Sequence, residues 1–334
     1  LPGLDVRDER ANGDAVAAVA QVTDLALLGR ALEALTGREL PALAGQGELR
    51  ARLANPIASG GLAVRGGFDA LTLGGLDVRA LRLEAKAAGL SPRSDLELLA
   101  QASALVSGGR SLGSVRLEAQ RTQELLSFQA STAGEAPLEV QLRGRFEDQG
   151  EAMRLEALTV RYPEATWTAK GTPRLGLDDG VSVAGLELTS GEQRLDLRGE
   201  WTGERRQLDL DLDGVKLTSA PALLVPKELG LGGVLDGTVK LEQPGDELTG
   251  AAQLTLAQGR LGGVSGLTAA LDARLTPKQL EGSLKGQAFE GAVAGDFKLP
   301  LRGRGAASGR FTIDGVSLAS AWQAMPGGGE PAVE

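Results

Sequence analysis

The sequence predicts an all-β protein, an elongated and repetitive antiparallel sheet, and two patterns carry that expectation. Apolar and polar residues alternate with period two in one segment after another, the signature of strands with one oily and one solvated face. Gly and Asp-Gly turn signals interrupt the alternation roughly every 8–12 residues, the spacing of a meander. Composition agrees: 42% of the 334 residues are hydrophobic, yet only six Phe, three Trp and one Tyr are present. The apolar content is therefore Leu, Val and Ala, enough for a sizeable core.

From the N-terminus, Leu1-Pro2-Gly3 opens the chain with no Met, basic region or hydrophobic leader. The sequence thus reads as an excised piece, with any anchor or targeting signal expected outside it. The Ala-rich segment 14–36 reads as a strand over 14–27 and a short helix over 29–36, because one layout recurs three times. A strand ends at Asp24, Asp213 or Asp314, and a short amphipathic segment follows at 29–35, 219–225 or 320–325. After the first two, a Gly-rich opening (Gly45 to Leu49; Gly232 to Gly237) starts a new strand run. Repetition of this kind predicts units that pack on their neighbours.

Alternating segments then follow at Val140, Leu142 and Phe146; at Leu195, Leu197 and Trp201; and at Leu208, Leu210 and Leu212. Others lie at Leu254 and Leu256, at Leu271, Ala273 and Leu275, and at Val293, Gly295, Phe297 and Leu299. Asp178-Asp179-Gly180, Ser190-Gly191, Thr202-Gly203 and Gly262-Gly263 are the turns between them. One continuous body is expected over 1–325, with joins near 24–45, 213–233 and 314–325, and a flexible end over 326–334.

Absent residue types exclude whole classes of chemistry. No Cys means no disulfide, Cys-based zinc site or thiol nucleophile. No His removes the usual general base and the commonest metal ligand. The net charge of −9, with basic residues scattered, gives no phosphate-backbone footprint, so no nucleic-acid partner is expected. No run of about 18 apolar residues occurs to form a transmembrane helix. No cofactor is implied.

Three motifs invite sharper readings. Asp209-x-Asp211-x-Asp213-Gly214 copies the first half of a calcium loop, but Ala220 stands where the bidentate carboxylate belongs. Leu210 and Leu212 explain the spacing as a strand with three outward carboxylates, which leaves at most a weak surface Ca²⁺ site. Gly303-x-Gly305-x-x-Ser308 lacks the third Gly of a dinucleotide loop, and Phe311 and Ile313 resume a strand where that motif needs a helix. Adjacent Asp178 and Asp179 on a turn point apart, unlike a glycosidase pair. Trp167, Trp201 and Trp322 read as core or sheet-end caps, or as the rim of an apolar surface.

The run from Leu155 to Val225 resembles the repeat region of the TamB and AsmA-like family of translocation and assembly module subunits. The resemblance rests on the Trp167 strand, Gly171-x-Pro173, the strand pair LELTSGEQRLDLRGEW (186–201) and LDLDLDGVKL (208–217) leading to a Leu-rich segment. It continues to about residue 301, with a looser copy over 1–90. It implies a sheet curved into a U-shaped trough, a β-taco with apolar faces inside and short helices between modules. It further implies a periplasmic location in a diderm bacterium and passage of phospholipid acyl chains between inner and outer membranes, in support of outer-membrane biogenesis. An inner-membrane anchor and a C-terminal domain contacting an outer-membrane β-barrel belong to the family and lie outside this piece.

On this reading no enzyme is expected. The groove lining is Val140, Leu142, Phe146, Leu195, Leu197, Leu208, Leu210, Leu212, Leu254, Leu256, Leu271, Leu275, Val293 and Phe297. The rival readings are a scaffold that receives outer-membrane clients by β-augmentation, a structural solenoid with a sealed core, and a carboxylate-based carbohydrate enzyme.

Overall fold

The structure is a computed structural model. It describes residues 4–10, 15–22, 26, 43–54, 61–73, 76–89, 94–107, 110–134, 137–178, 180–203, 205–219, 230–245, 247–262, 264–301, 306–315 and 317. Its strands join in one antiparallel sheet, as the alternation predicts. The chain divides into two compact units, Leu1–Gly150 with Leu155–Pro163, and Glu151–Arg154 with Glu164–Glu334.

In the first unit the strands are β1 (Leu4–Arg10), β2 (Ala15–Val22), β3 (Leu43–Ala54), β4 (Gly61–Leu73) and β5 (Leu76–Ala87). They continue as β6 (Leu96–Ser107), β7 (Arg110–Thr122), β8 (Leu125–Ala133) and β9 (Glu139–Glu147), and β10 (Ala152–Tyr162) gives this unit its Leu155–Tyr162 portion. From β1 to β9 each strand pairs antiparallel with the next in sequence.

In the second unit Ala152–Arg154 pairs with β12 (Arg174–Gly176). β11 (Ala165–Ala169) and β12 share β13 (Gly180–Ser190), one at each of its ends. A meander follows through β14 (Gln193–Thr202), β15 (Arg205–Lys216), β16 (Gly232–Pro244), β17 (Thr249–Leu261), β18 (Val264–Leu275), β19 (Gln279–Ala288), β20 (Gly291–Pro300) and β21 (Ser308–Asp314).

Two local expectations change. The strand read over 14–27 ends at Val22, and Ala26 is helical. Alanine is the strongest intrinsic helix former, and β-branched residues stop at Val22 and Thr23. Of the three amphipathic segments, 29–36 and 320–325 lie outside the described residues. The third begins as a one-turn 3₁₀ helix at Leu217–Ser219, and 220–225 lies outside the described residues. The expected flexible end, 326–334, lies outside them too.

Few described side chains are fully buried. Phe68, Ala102 and Leu155 are buried in the first unit, and Met153, Trp167, Val215 and Ala273 are among those buried in the second. The hydrophobic face of the sheet is mostly half-buried instead.

A continuous apolar face

Residues paired across antiparallel strands project to the same side, so the registers show which side chains share a face. In the second unit one row runs Leu188, Leu195, Leu212, Gly237, Leu254, Leu271, Leu284, Gly295 and Phe311, crossing nine strands from β13 to β21. The next runs Leu186, Leu197, Leu210, Val239, Ala252, Ala273, Gly282 and Phe297. A third holds Leu208, Leu241, Gly250, Leu275, Leu280 and Leu299, and a fourth Val215, Leu235, Leu256, Ala269, Gly286 and Val293. No charged residue interrupts these four rows. Eight steps of about 4.8 Å make the longest row about 38 Å, more than twice the ~15 Å depth of one bilayer leaflet's hydrocarbon.

The first unit repeats the arrangement. Ala51, Val64, Ala85, Leu98, Ala119, Phe128 and Leu142 form one row, and Leu49, Gly66, Leu83, Ala100, Leu117, Ala130 and Val140 form its neighbour. Of the sequence-predicted lining, Val140, Leu142 and Phe146 thus share the apolar face of the first unit. Leu195, Leu197, Leu208, Leu210, Leu212, Leu254, Leu256, Leu271, Leu275, Val293 and Phe297 share that of the second. Every one of them is half-buried.

Glycines opposite aromatics shape this surface. A Cβ on Gly47 would collide with the Phe68 ring, and one on Gly282 would lie 2.9 Å from Phe297 Cζ. Each ring lies over its cross-strand glycine and covers backbone that a larger residue would shield itself. At the end of β7, Arg121 projects to the apolar side of the first unit, its guanidinium carbon 4.5 Å from the centroid of Phe146 and its Nε donating to the Gln123 carbonyl at 2.9 Å. The ring and the carbonyl satisfy that charge.

The other face is polar. Asp213 lies opposite Arg194, and Asp209 lies opposite Arg198 on one side and Lys240 on the other. The Asp209, Asp211 and Asp213 series is therefore a strand with three carboxylates on its charged face, and no metal-ligating group of three acidic side chains occurs among the described residues. Ion pairs such as Arg161–Glu139 at 3.0 Å and Lys170–Glu187 at 3.1 Å are solvent-exposed and contribute little each. The second half of the glycine motif is strand, since Ser308, Phe311 and Ile313 belong to β21. Gly303 and Gly305 lie outside the described residues, as does Asp179; Asp178 is in a turn. A hollow of about 790 Å³ opens among Glu84, Lys86, Glu97, Arg116, Glu118 and Arg143 of the first unit's polar face, and Leu98, Phe128 and Leu142 touch it.

The tryptophans divide between the two expectations. Trp167 is 6% exposed and belongs to the core, whereas Trp201, at the end of β14, is 57% exposed. Trp322 lies outside the described residues. Burial raises the phenol of Tyr162 above its ordinary value.

Sequence reasoning missed much of the face: Leu186, Leu188, Leu235, Val239, Leu241, Leu280 and Leu284 in the second unit, and both rows of the first unit except Val140 and Leu142. The alternation around Leu235, Val239 and Leu241 was there to be read. In the first unit, runs such as Leu98-Leu99-Ala100 blur the period. No family model, curated protein or solved structure matches the chain.

Proposed function

We propose that the apolar face is a lipid-binding surface over which phospholipid acyl chains pass, and that the protein conducts phospholipid between the inner and outer membranes in the periplasm of a diderm bacterium. The observation that supports this most is the run of in-register apolar rows, mostly half-buried and without a charge across as many as nine strands. An acyl chain leaving water gains about 0.8 kcal/mol per fully buried CH₂ and needs no particular hydrogen bond. A face of near-equivalent Leu, Val, Ala and Gly positions binds such a chain at many sites of similar depth, so the chain slides instead of lodging. No catalytic group is assigned, and the family resemblance supplies the location and the outer-membrane partner.

A second reading has one observation of its own. β21 is exposed along all seven residues and pairs only with β20 among the described residues, the geometry of an edge that accepts a client strand. Detergent-free purification with lipid extraction and native mass spectrometry tests the first reading. Phospholipid at one or more per chain, lost in a folded Leu197→Asp variant, is the expected result. A lipid-free mass after exposure to phospholipid vesicles overturns it and leaves the strand-accepting scaffold.

A further inference from the structure

The exposed large apolar side chains of the second unit are unevenly placed. Val181 (49% exposed), Trp201 (57%), Leu248 (41%), Leu299 (41%) and Leu301 (50%) fall at one end of the strands, whereas Leu261 (47%) and Ile313 (64%) lie toward the other end and Phe311 (53%) between them. Register places the first five together: Val181 starts β13 opposite Trp201, Leu248 precedes β17 at the turn from β16, and Leu299 and Leu301 close β20. The Leu301 N–H donates to the Lys278 carbonyl at 3.0 Å, tying two of the turns at this edge together. All five are in step with the apolar face, so the oily surface reaches water along this edge.

A cation stands in the same row. Arg206 lies directly opposite Trp201 on one side and Gln243 on the other, and so projects to the apolar side. Its sequence neighbour Arg205 is engaged on the polar side, 2.6 Å from Gln207 Oε1 and 3.8 Å from Glu200 Oε2. Arg206 itself is exposed, and its guanidinium makes no ion pair or hydrogen bond among the described residues. An unpaired guanidinium beside an exposed indole, where an aliphatic surface ends, is chemically suited to a molecule that is a hydrocarbon on one side and a phosphate on the other.

We infer that this edge is the headgroup station of the lipid face. Arg206 holds the phosphodiester of a diacyl phospholipid, Trp201 packs at its glycerol-ester level, and the acyl chains lie inward over Leu208 and Leu197. The inference rests on the proposed lipid-binding reading and adds to it a side of entry and a chemical preference. A guanidinium distinguishes a phosphate-bearing lipid from a neutral diacylglycerol; the aliphatic rows alone do not.

The test is binding of short-chain phosphatidylglycerol and of diacylglycerol with the same acyl chains to the full chain, for the native protein, Arg206→Gln and Arg206→Lys, with folding checked by circular dichroism. The native protein is expected to bind the phospholipid about tenfold more tightly than the diacylglycerol, as one charge-assisted contact allows. Arg206→Gln is expected to erase that preference while diacylglycerol affinity stays unchanged, and Arg206→Lys to restore part of it. Inorganic phosphate alone is expected not to compete, since the acyl chains supply most of the affinity. An unchanged preference in Arg206→Gln, or competition by inorganic phosphate at the lipid's own concentration, overturns the headgroup station and leaves the lipid face standing. Failure of the native protein to bind either lipid overturns both.

Discussion

An open apolar face and a dry core respond differently to a buried charge, and β15 carries one position of each kind. Leu210 is half-buried between Leu197 and Val239, whereas Val215, five residues on, is 9% exposed opposite Leu235. Fully burying a Leu or Val side chain contributes about 1.5–3 kcal/mol, so a half-buried Leu contributes about 1 kcal/mol. A carboxylate at position 210 still reaches water, so Leu210→Asp is expected to cost about 1–2 kcal/mol. At position 215 the loss of the Val combines with desolvation of a carboxylate that has no partner, for about 4 kcal/mol or more. Urea unfolding followed by far-ultraviolet circular dichroism reads both midpoints in one host. The expected order is a small shift for Leu210→Asp and a collapse for Val215→Asp. If the two variants lose equal stability, position 210 is sealed from water and the open-face argument fails.

Three further outcomes follow from local geometry. Gly282→Ala sets a Cβ 2.5 Å from the Asp272 carbonyl and 2.9 Å from Phe297 Cζ, so it is expected to cost about 1–3 kcal/mol, while Gly185→Ala, with open space around it, is expected to be neutral or slightly stabilising in the same urea titration. Gln193 is buried, accepts from the Lys216 N–H at 2.8 Å and donates to the Ser190 carbonyl at 3.3 Å, so Gln193→Ala orphans a part-buried N–H and is expected to lower stability by about 1–2 kcal/mol; an unchanged midpoint refutes that role. The phenol of Tyr162 is raised by burial, so its contribution is intact below the unfolded value of about 10 and is lost as pH climbs through the higher folded value. Native protein is therefore expected to lose more stability than Tyr162→Phe between pH 9 and 11, and parallel curves refute the assignment.

Period-two alternation determined the all-β class, because a strand sends successive side chains to opposite faces whatever lies beyond it. It also placed residues such as Leu195, Leu197, Leu208 and Leu210 on one side of their strands, since each lies in an unbroken alternating run. The same logic explained the Asp209, Asp211 and Asp213 series as a solvated face.

What only the tertiary structure decided is how those strands meet. Strict alternation after Leu212 puts Gly214 on the apolar side. Instead, Asp213 and Gly214 together oppose Asp236, a bulge in which Gly214 takes a left-handed φ of 62° and donates its N–H to Asp236 Oδ1 at 2.6 Å. That one extra residue turns Val215 onto the apolar face and buries it. A bulge depends on the partner strand, so no period within β15 reveals it. Placing Trp201 in water and Trp167 in the core was likewise beyond the sequence: both sit on alternating strands, and only cross-strand register shows which is an edge and which an interior position.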